Sequence, residues 1–487
     1  MARSLRRSSS PPSPPRASAA PGGAARSRPA TVVALALAAA LAPGCGSSYS
    51  PGTCTADSEL QEIWSIAQSA YLYQSLLPTT LDPTSYATPT GLVDAITAGA
   101  AAAGKDRSWS YVTTTAAASQ FFGQGQAIGF GLGLLTQGTQ LLVDQVIPGA
   151  PAAGAGFLRG DQILAIGPDP TTLVPVSTLI AAGTVDAALP GEVAGQSRSF
   201  QVQPASGPIV VRTVTTALYD IVPVETTWVS NGVGYVSLRA FVSTAEPALA
   251  TAFAAFAAAT PPVTELILDL RYDGGGQVST AAYLADLIGA GQPGVSSPAK
   301  LATRPAFQLQ FDAALSSMDQ TATFVSQVQS LPTPPSRLAI IASDATASAS
   351  ELVTAALDPY LTVEIVGSRT YGKPVGQAGF DLSPCGDELF LVAFQDVNSA
   401  GFTGWYGGLP PAVADPSFRA QLCPAADDLA HAPGDLAEAS TAAALAWLQT
   451  GACTPAASPL ALTAARPAVG YPGTRSTPAR EALPGVY

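Results

Sequence analysis

The run Glu265-Leu266-Ile267-Leu268-Asp269-Leu270-Arg271-Tyr272-Asp273-Gly274-Gly275-Gly276 decides the fold. Its first half is a near-continuous apolar stretch, the pattern of a strand buried on both faces. Three glycines then end it and let the backbone approach another group closely. A helical stretch follows through Ala290. Outward from there, residues 234–238 read as a strand, 245–259 as an Ala-rich helix and 338–342 as another buried strand. Residues 350–357 read as a helix and 363–366 as a third strand. Such alternation predicts an α/β core over residues 209–453, with helices packed on a sheet.

The chain has 487 residues, 22 basic and 34 acidic. Residues 1–44 form a leader with six Arg and no acid, and without it 16 basic residues face 34 acidic ones. That surface repels nucleic acid and anionic lipid, so nucleic acid is excluded as a partner. Within the leader, the apolar run ATVVALALAAALA at 30–42 is too short to span a membrane and suits the core of a signal peptide. It ends at Leu41-Ala42-Pro43-Gly44-Cys45, which resembles a bacterial lipoprotein signal whose Cys45 is lipidated; Pro43 departs from the small residues usual there. The expected location is the cell envelope, held to the membrane through the lipid anchor only, with soluble secretion after Ala42 as the alternative. The other four cysteines, Cys54, Cys385, Cys423 and Cys453, suffice for two disulfides in an oxidising compartment. They allow three pairings, and their spacing with one histidine argues against zinc. No metal and no cofactor is expected.

Residues 56–120 open with helical spacing (Leu60, Ile63, Trp64, Ala67, Ala70) and are expected to cap the core. Residues 127–208 are strand-rich and begin Ile128-Gly129-Phe130-Gly131-Leu132-Gly133-Leu134. This is no nucleotide loop, because it does not read GxGxxG and no acidic residue follows at the required distance. The later tract Gly156-Phe157-Leu158-Arg159-Gly160-Asp161-Gln162-Ile163-Leu164 resembles the PDZ domains of secreted proteases. In that reading Gly129, Phe130, Gly131, Leu132 and Gly133 border a groove that takes a peptide's terminal carboxylate while its backbone adds a strand. Residues 454–487 are Pro/Ala-rich and aperiodic, and are expected to be a disordered tail.

The chemistry turns on a scarcity. A serine nucleophile needs a base, and the one histidine, His431, sits in an acidic surface-like segment. There are three lysines, Lys105, Lys300 and Lys373, and a buried lysine can be neutral enough to accept a proton. Ala347-Ser348-Ala349-Ser350-Glu351-Leu352 is followed by Tyr371-Gly372-Lys373-Pro374-Val375-Gly376-Gln377. With the glycine turn and Gly234-Tyr235-Val236, in this order, these motifs resemble the C-terminal processing peptidases, serine–lysine enzymes also called tail-specific proteases. The resemblance covers roughly residues 60–453.

It implies an α/β, crotonase/ClpP-like core, an inserted PDZ-like domain, and serine endopeptidase activity on protein or peptide substrates, C-terminal tails in particular. By the same resemblance Ser348 is the nucleophile, Lys373 the base, and Gln377 the residue that orients Lys373 or a substrate carbonyl. The oxyanion hole would be the backbone N–H groups of Ala349 and of Gly275 or its glycine neighbours. Asp273 stands where the family commonly has Asn, and Pro374 where Gly is usual. The alternative is a catalytically silent peptide-binding or scaffold protein of the cell envelope, which intact Ser348, Lys373 and Gln377 disfavour.

Overall fold

The computed structural model describes residues 53–190 and 193–453. The leader, Cys45 and the tail 454–487 lie outside these residues. No helix among the described residues is long and apolar enough to cross a membrane.

A six-stranded sheet organises the second half, in the order Val224–Ser230, Val233–Leu238, Glu265–Asp269, Arg337–Ala342, Thr362–Gly367, Gln421–Pro424. The first pair is antiparallel and the rest are parallel. The apolar runs are continuous because both faces are covered. Leu266, Leu268, Leu338 and Ile340 pack under the helices Ala245–Ala258, Val278–Ala285 and Ala349–Leu357. The alternate residues Ile267, Ala339 and Ile341 face the helix Ala439–Thr450 and its Trp447. Each fully buried Leu or Ile here contributes about 1.5–3 kcal/mol, so the sheet is a stiff platform.

Glu265–Asp269, Arg337–Ala342 and Thr362–Gly367 are adjacent and parallel, so their carboxyl ends share one edge. Three loops leave that edge side by side: 270–276, 343–348 and 368–374. Open α/β sheets place their chemistry at such an edge.

The first loop is pinned from below by a buried ionic cluster. Arg271 holds Asp269 at 2.8 Å and grips Glu438 through both terminal nitrogens at 2.8 and 2.9 Å. Burial alone would raise the Glu438 carboxyl, but Arg271 outweighs it and holds the group at about 2.

A second, antiparallel sheet was not legible in the sequence. Its long strand Asp387–Asn398 pairs with Tyr111–Thr114, with Val375–Leu382 and with Pro305–Phe311, which in turn pairs with Gln320–Thr323. The helices Ala56–Ala70 and Pro89–Ala102 pack on the hairpin through Leu60, Ile63, Leu92, Leu389 and Leu391. The amino-terminal segment thus packs its helices on this sheet and also contributes a strand to it.

Residues 130–215 fold around their own core of Phe130, Val143, Phe157, Ile163, Phe200 and Val202. Of its six strands five run in the order Leu132–Gln137, Gln140–Val146, Gln162–Gly167, Ser197–Gln203, Val210–Thr215, and Val174–Pro175 pairs with Gln162–Gly167 off this path. Val210–Thr215, which the sequence suggests as a bridge, is the far edge of this sheet, so it extends past 208. The chain enters and leaves through a two-stranded ribbon of Gln126–Gly129 with Ala217–Asp220. That is the architecture of an inserted PDZ-like domain.

Of the three possible cysteine pairings, the chain adopts Cys54–Cys385 and Cys423–Cys453. Cys54, Glu59 and Cys385 have metal-like proximity, but both thiols are consumed by the disulfide.

Candidate active site

Ser348 ends the loop after Arg337–Ala342 and caps the helix Ala349–Leu357. Its backbone has φ 54° and ψ −117°, a region that a residue with a Cβ rarely occupies. Such strain costs about 1–3 kcal/mol and clusters at functional sites. What holds Ser348 there is Glu351, fully buried one turn into the helix. Its Oε2 accepts from the Ser348 amide (3.0 Å) and from the Lys373 amide (2.8 Å), and its Oε1 from the Gly372 amide (2.8 Å) and the Thr370 hydroxyl. One carboxylate thus ties the serine loop to the lysine loop. Burial raises the Glu351 carboxyl, while these four donors pull it back.

Gly275 lies directly against the serine. A Cβ built there would come 2.8 Å from Ser348 Cβ and 2.9 Å from both Ala347 O and Ala349 N. At φ +105° the position is also one that glycine alone adopts without strain. Ala349, first in its helix, has no intrahelical acceptor for its N–H. The two expected oxyanion donors therefore sit together beside Ser348. One qualification comes from the structure: the Gly275 N–H donates to Asp273 Oδ1 at 2.8 Å.

Lys373 follows the strand Thr362–Gly367 and is completely buried. Its Nζ donates to Gln377 Oε1 at 3.1 Å, and Gln377 Nε2 donates to Trp109 O at 2.8 Å. Ser348 Oγ is not among the Nζ partners in this resting arrangement. Gln377 sits at a bulge in the strand Val375–Leu382, whose register slips between Gly376 and Gln377. The Trp109 ring centroid is 5.9 Å from Nζ. That indole is itself stacked on Tyr406 and covered by the Arg107 guanidinium at 4.8 Å. Burial lowers the Lys373 ammonium to about 8, against the opposing pull of Asp106, Asp396 and Glu351. Asp106 is satisfied by Tyr71, Trp109 and Ser110. Asp396, also buried, is raised to about 8, chiefly by its burial.

Ser348, Lys373, Gln377, Gly275 and Ala349 therefore converge, although the chain separates them. Glu351, Trp109, Asp106 and Asp396 were missed. Glu351 carried a signal, since Ser followed three residues later by Glu is a capping-box pattern. Trp109 and Asp106 carried none, because they arrive from the amino-terminal cap. His431 is at the surface, 2.7 Å from Asp428, as its acidic context suggested.

In the PDZ-like domain, Gly129 ends one strand, and Leu132 and Gly133 start Leu132–Gln137, an edge strand. Phe130 is a core residue, edge-on to Phe200 at 5.4 Å, so its side chain is unavailable to a groove.

Residues 232–403 match the model for peptidase family S41, a span that contains Gly275, Ser348, Ala349, Glu351, Lys373, Gln377 and Asp396. This segment is a serine-type peptidase domain of family S41. The S41 domain and its appendages superpose on the crystal structure of an S41 protease from Bacteroides fragilis with a TM-score of 0.60 and 21% identity, covering 84% of this chain and 99% of that one. That likeness establishes the fold. The chain also resembles a photosystem II D1 C-terminal processing protease (TM-score 0.46, 22% identity, 77% of this chain and 96% of that one). A peptide-bound PDZ domain of a carboxy-terminal protease from Vibrio cholerae matches 20% of this chain and 99% of its own (TM-score 0.17, 20% identity). No curated protein matches the sequence closely enough to count as a relative.

Proposed function

We propose that this S41 peptidase is an exported, lipid-anchored serine endopeptidase that cleaves protein tails by a Ser–Lys mechanism. The observation that carries the reading is the buried Lys373 amine, oriented by Gln377 and tied through Glu351 to the strained Ser348. Neutral Lys373 takes the Ser348 hydroxyl proton as Oγ attacks the scissile carbonyl carbon. The negative charge on the carbonyl oxygen is met by backbone N–H groups at Ala349 and Gly275. Collapse of the tetrahedral species breaks the C–N bond, and Lys373 returns the proton to the leaving amine. Water, deprotonated by the same amine, then releases the acyl group from Oγ. Lys373 and Ser348 would draw together only once substrate fills the site, as catalytic hydrogen bonds often do.

Tail recognition is assigned to the PDZ-like domain. The edge strand Leu132–Gln137 can accept an added strand. Half-buried Leu132, Leu134 and Ile180 supply apolar contacts. Two disulfides support an oxidising compartment, and Cys45 would carry the lipid. The test is cleavage of casein by wild type and by Ser348→Ala, with and without a chelator. Activity that survives the chelator and disappears in the variant supports the reading; activity retained by Ser348→Ala refutes it. Membrane fractionation of Cys45→Ala tests the anchor separately.

A further inference from the structure

We infer that Asp273 is a positioning residue of the oxyanion pocket, acting through Gly275: its carboxyl group withholds the Gly275 N–H when ionised and yields it when neutral. The inference rests on the Ser–Lys reading and adds an upper pH limit to it.

Gly275 lies directly against the serine, since a Cβ built there would approach Ser348 Cβ to 2.8 Å. Its N–H is already given to Asp273 Oδ1 at 2.8 Å, and one N–H cannot fully serve both that oxygen and an incoming oxyanion. The rest of Asp273 is fixed in place. Its carbonyl accepts from the Ala347 amide (3.1 Å) and Ser350 Oγ (3.0 Å), which fixes the backbone from which the carboxyl group projects.

The carboxyl group is wholly buried, and Oδ2 has no hydrogen-bond partner among the described residues. An ionised carboxylate in that position is compensated only in part, by the Gly275 N–H, Ser350 and the charge of Arg239, and burial outweighs them. Arg239 is the cation that faces it, and Arg239 is paired with Glu225. Arg271, next but one in sequence, is committed to Asp269 and Glu438. The helix Ala349–Leu357 presents Ser350 to Asp273, while its Glu351 is turned to Ser348, Gly372 and Lys373. Burial accordingly raises Asp273 well above the ordinary carboxylate range. In the neutral form its carbonyl oxygen is a weak acceptor that a developing oxyanion outcompetes. In the charged form it is a strong acceptor, and it sets a negative charge beside the one the reaction must create. An Asn at this position would make the same hydrogen bond without titrating.

The experiment measures kcat/KM of wild type and Asp273→Asn on a quenched-fluorescence peptide from about pH 6 to about pH 10. The expected wild-type profile is bell-shaped, with Lys373 on the acid side and Asp273 on the alkaline side. Asp273→Asn should keep the acid limb and lose the alkaline fall, exceeding wild type by about tenfold one pH unit above the wild-type alkaline midpoint. An alkaline fall unchanged in the variant, or a uniform loss at every pH, overturns the inference and leaves the Ser–Lys reading standing. Absence of cleavage by wild type at every pH overturns both. Should Asp273→Asn fail to fold, Arg239→Gln serves instead. Removing the facing cation should move the alkaline limb to higher pH, and an unmoved limb refutes the proposal.

Discussion

Lys373→Met should abolish proteolysis and at the same time stabilise the protein. Burial lowers the Lys373 ammonium from 10.5 to about 8. Because the folded state binds this proton more weakly than the unfolded chain, the cost is complete below pH 8 and fades as pH rises toward 10.5. At about 1.4 kcal/mol per pH unit, the penalty near neutrality is about 3 kcal/mol. Met has similar length, no charge, and conformational freedom to fill the slot beside Trp109. It abandons the hydrogen bond to Gln377, which costs about 1 kcal/mol. Removing the positive charge leaves little uncompensated, because Asp396 at about 8 is already mostly neutral at pH 7. The net expectation is a gain of about 2 kcal/mol at pH 7, shrinking to nothing or reversing near pH 10. Urea unfolding followed by tryptophan fluorescence at both pH values measures it, alongside casein cleavage. A variant less stable than wild type at pH 7, or a gain that does not shrink with pH, refutes the claim of a desolvated lysine; retained cleavage refutes the claim that it is the base.

Other outcomes follow from the same geometry. Wild-type activity should climb through a midpoint near pH 8 as Lys373 loses its proton, standing at about one-tenth of the deprotonated limit at pH 7; a midpoint below about pH 6.5 would point to another base. Gly275→Ala forces a Cβ to 2.8 Å from Ser348 Cβ at φ +105°, so kcat should fall by roughly 10²–10³ and stability by about 1–3 kcal/mol in kinetic and melting assays. Replacing Cys423 and Cys453 together by Ser opens a bridge spanning 30 residues and should cost about 3–4 kcal/mol in denaturant unfolding.

The parallel sheet was legible because its strands are buried on both faces and read as unbroken apolar runs, such as Leu338 to Ala342. The antiparallel sheet was not: Pro305–Phe311 and Asp387–Asn398 are paired across long stretches of chain, and no local turn signal joins them. At the site, Ser348, Lys373 and Gln377 could be read because their motifs are local. Trp109 could not, since it walls the lysine pocket from another segment. The glycine turn was placed correctly beside the serine, yet the diversion of the Gly275 N–H to Asp273 is a matter of side-chain conformation. Composition and spacing do not encode it.

The central claim is that Ser348 is activated by Lys373. The measurement that addresses it most directly is mass-spectrometric mapping of a fluorophosphonate adduct on wild type, Ser348→Ala and Lys373→Ala at about pH 8.5. A single adduct on Ser348 is expected in wild type and none in either variant. An unlabelled wild-type Ser348, an adduct on another residue, or undiminished labelling of Ser348 in Lys373→Ala would contradict it.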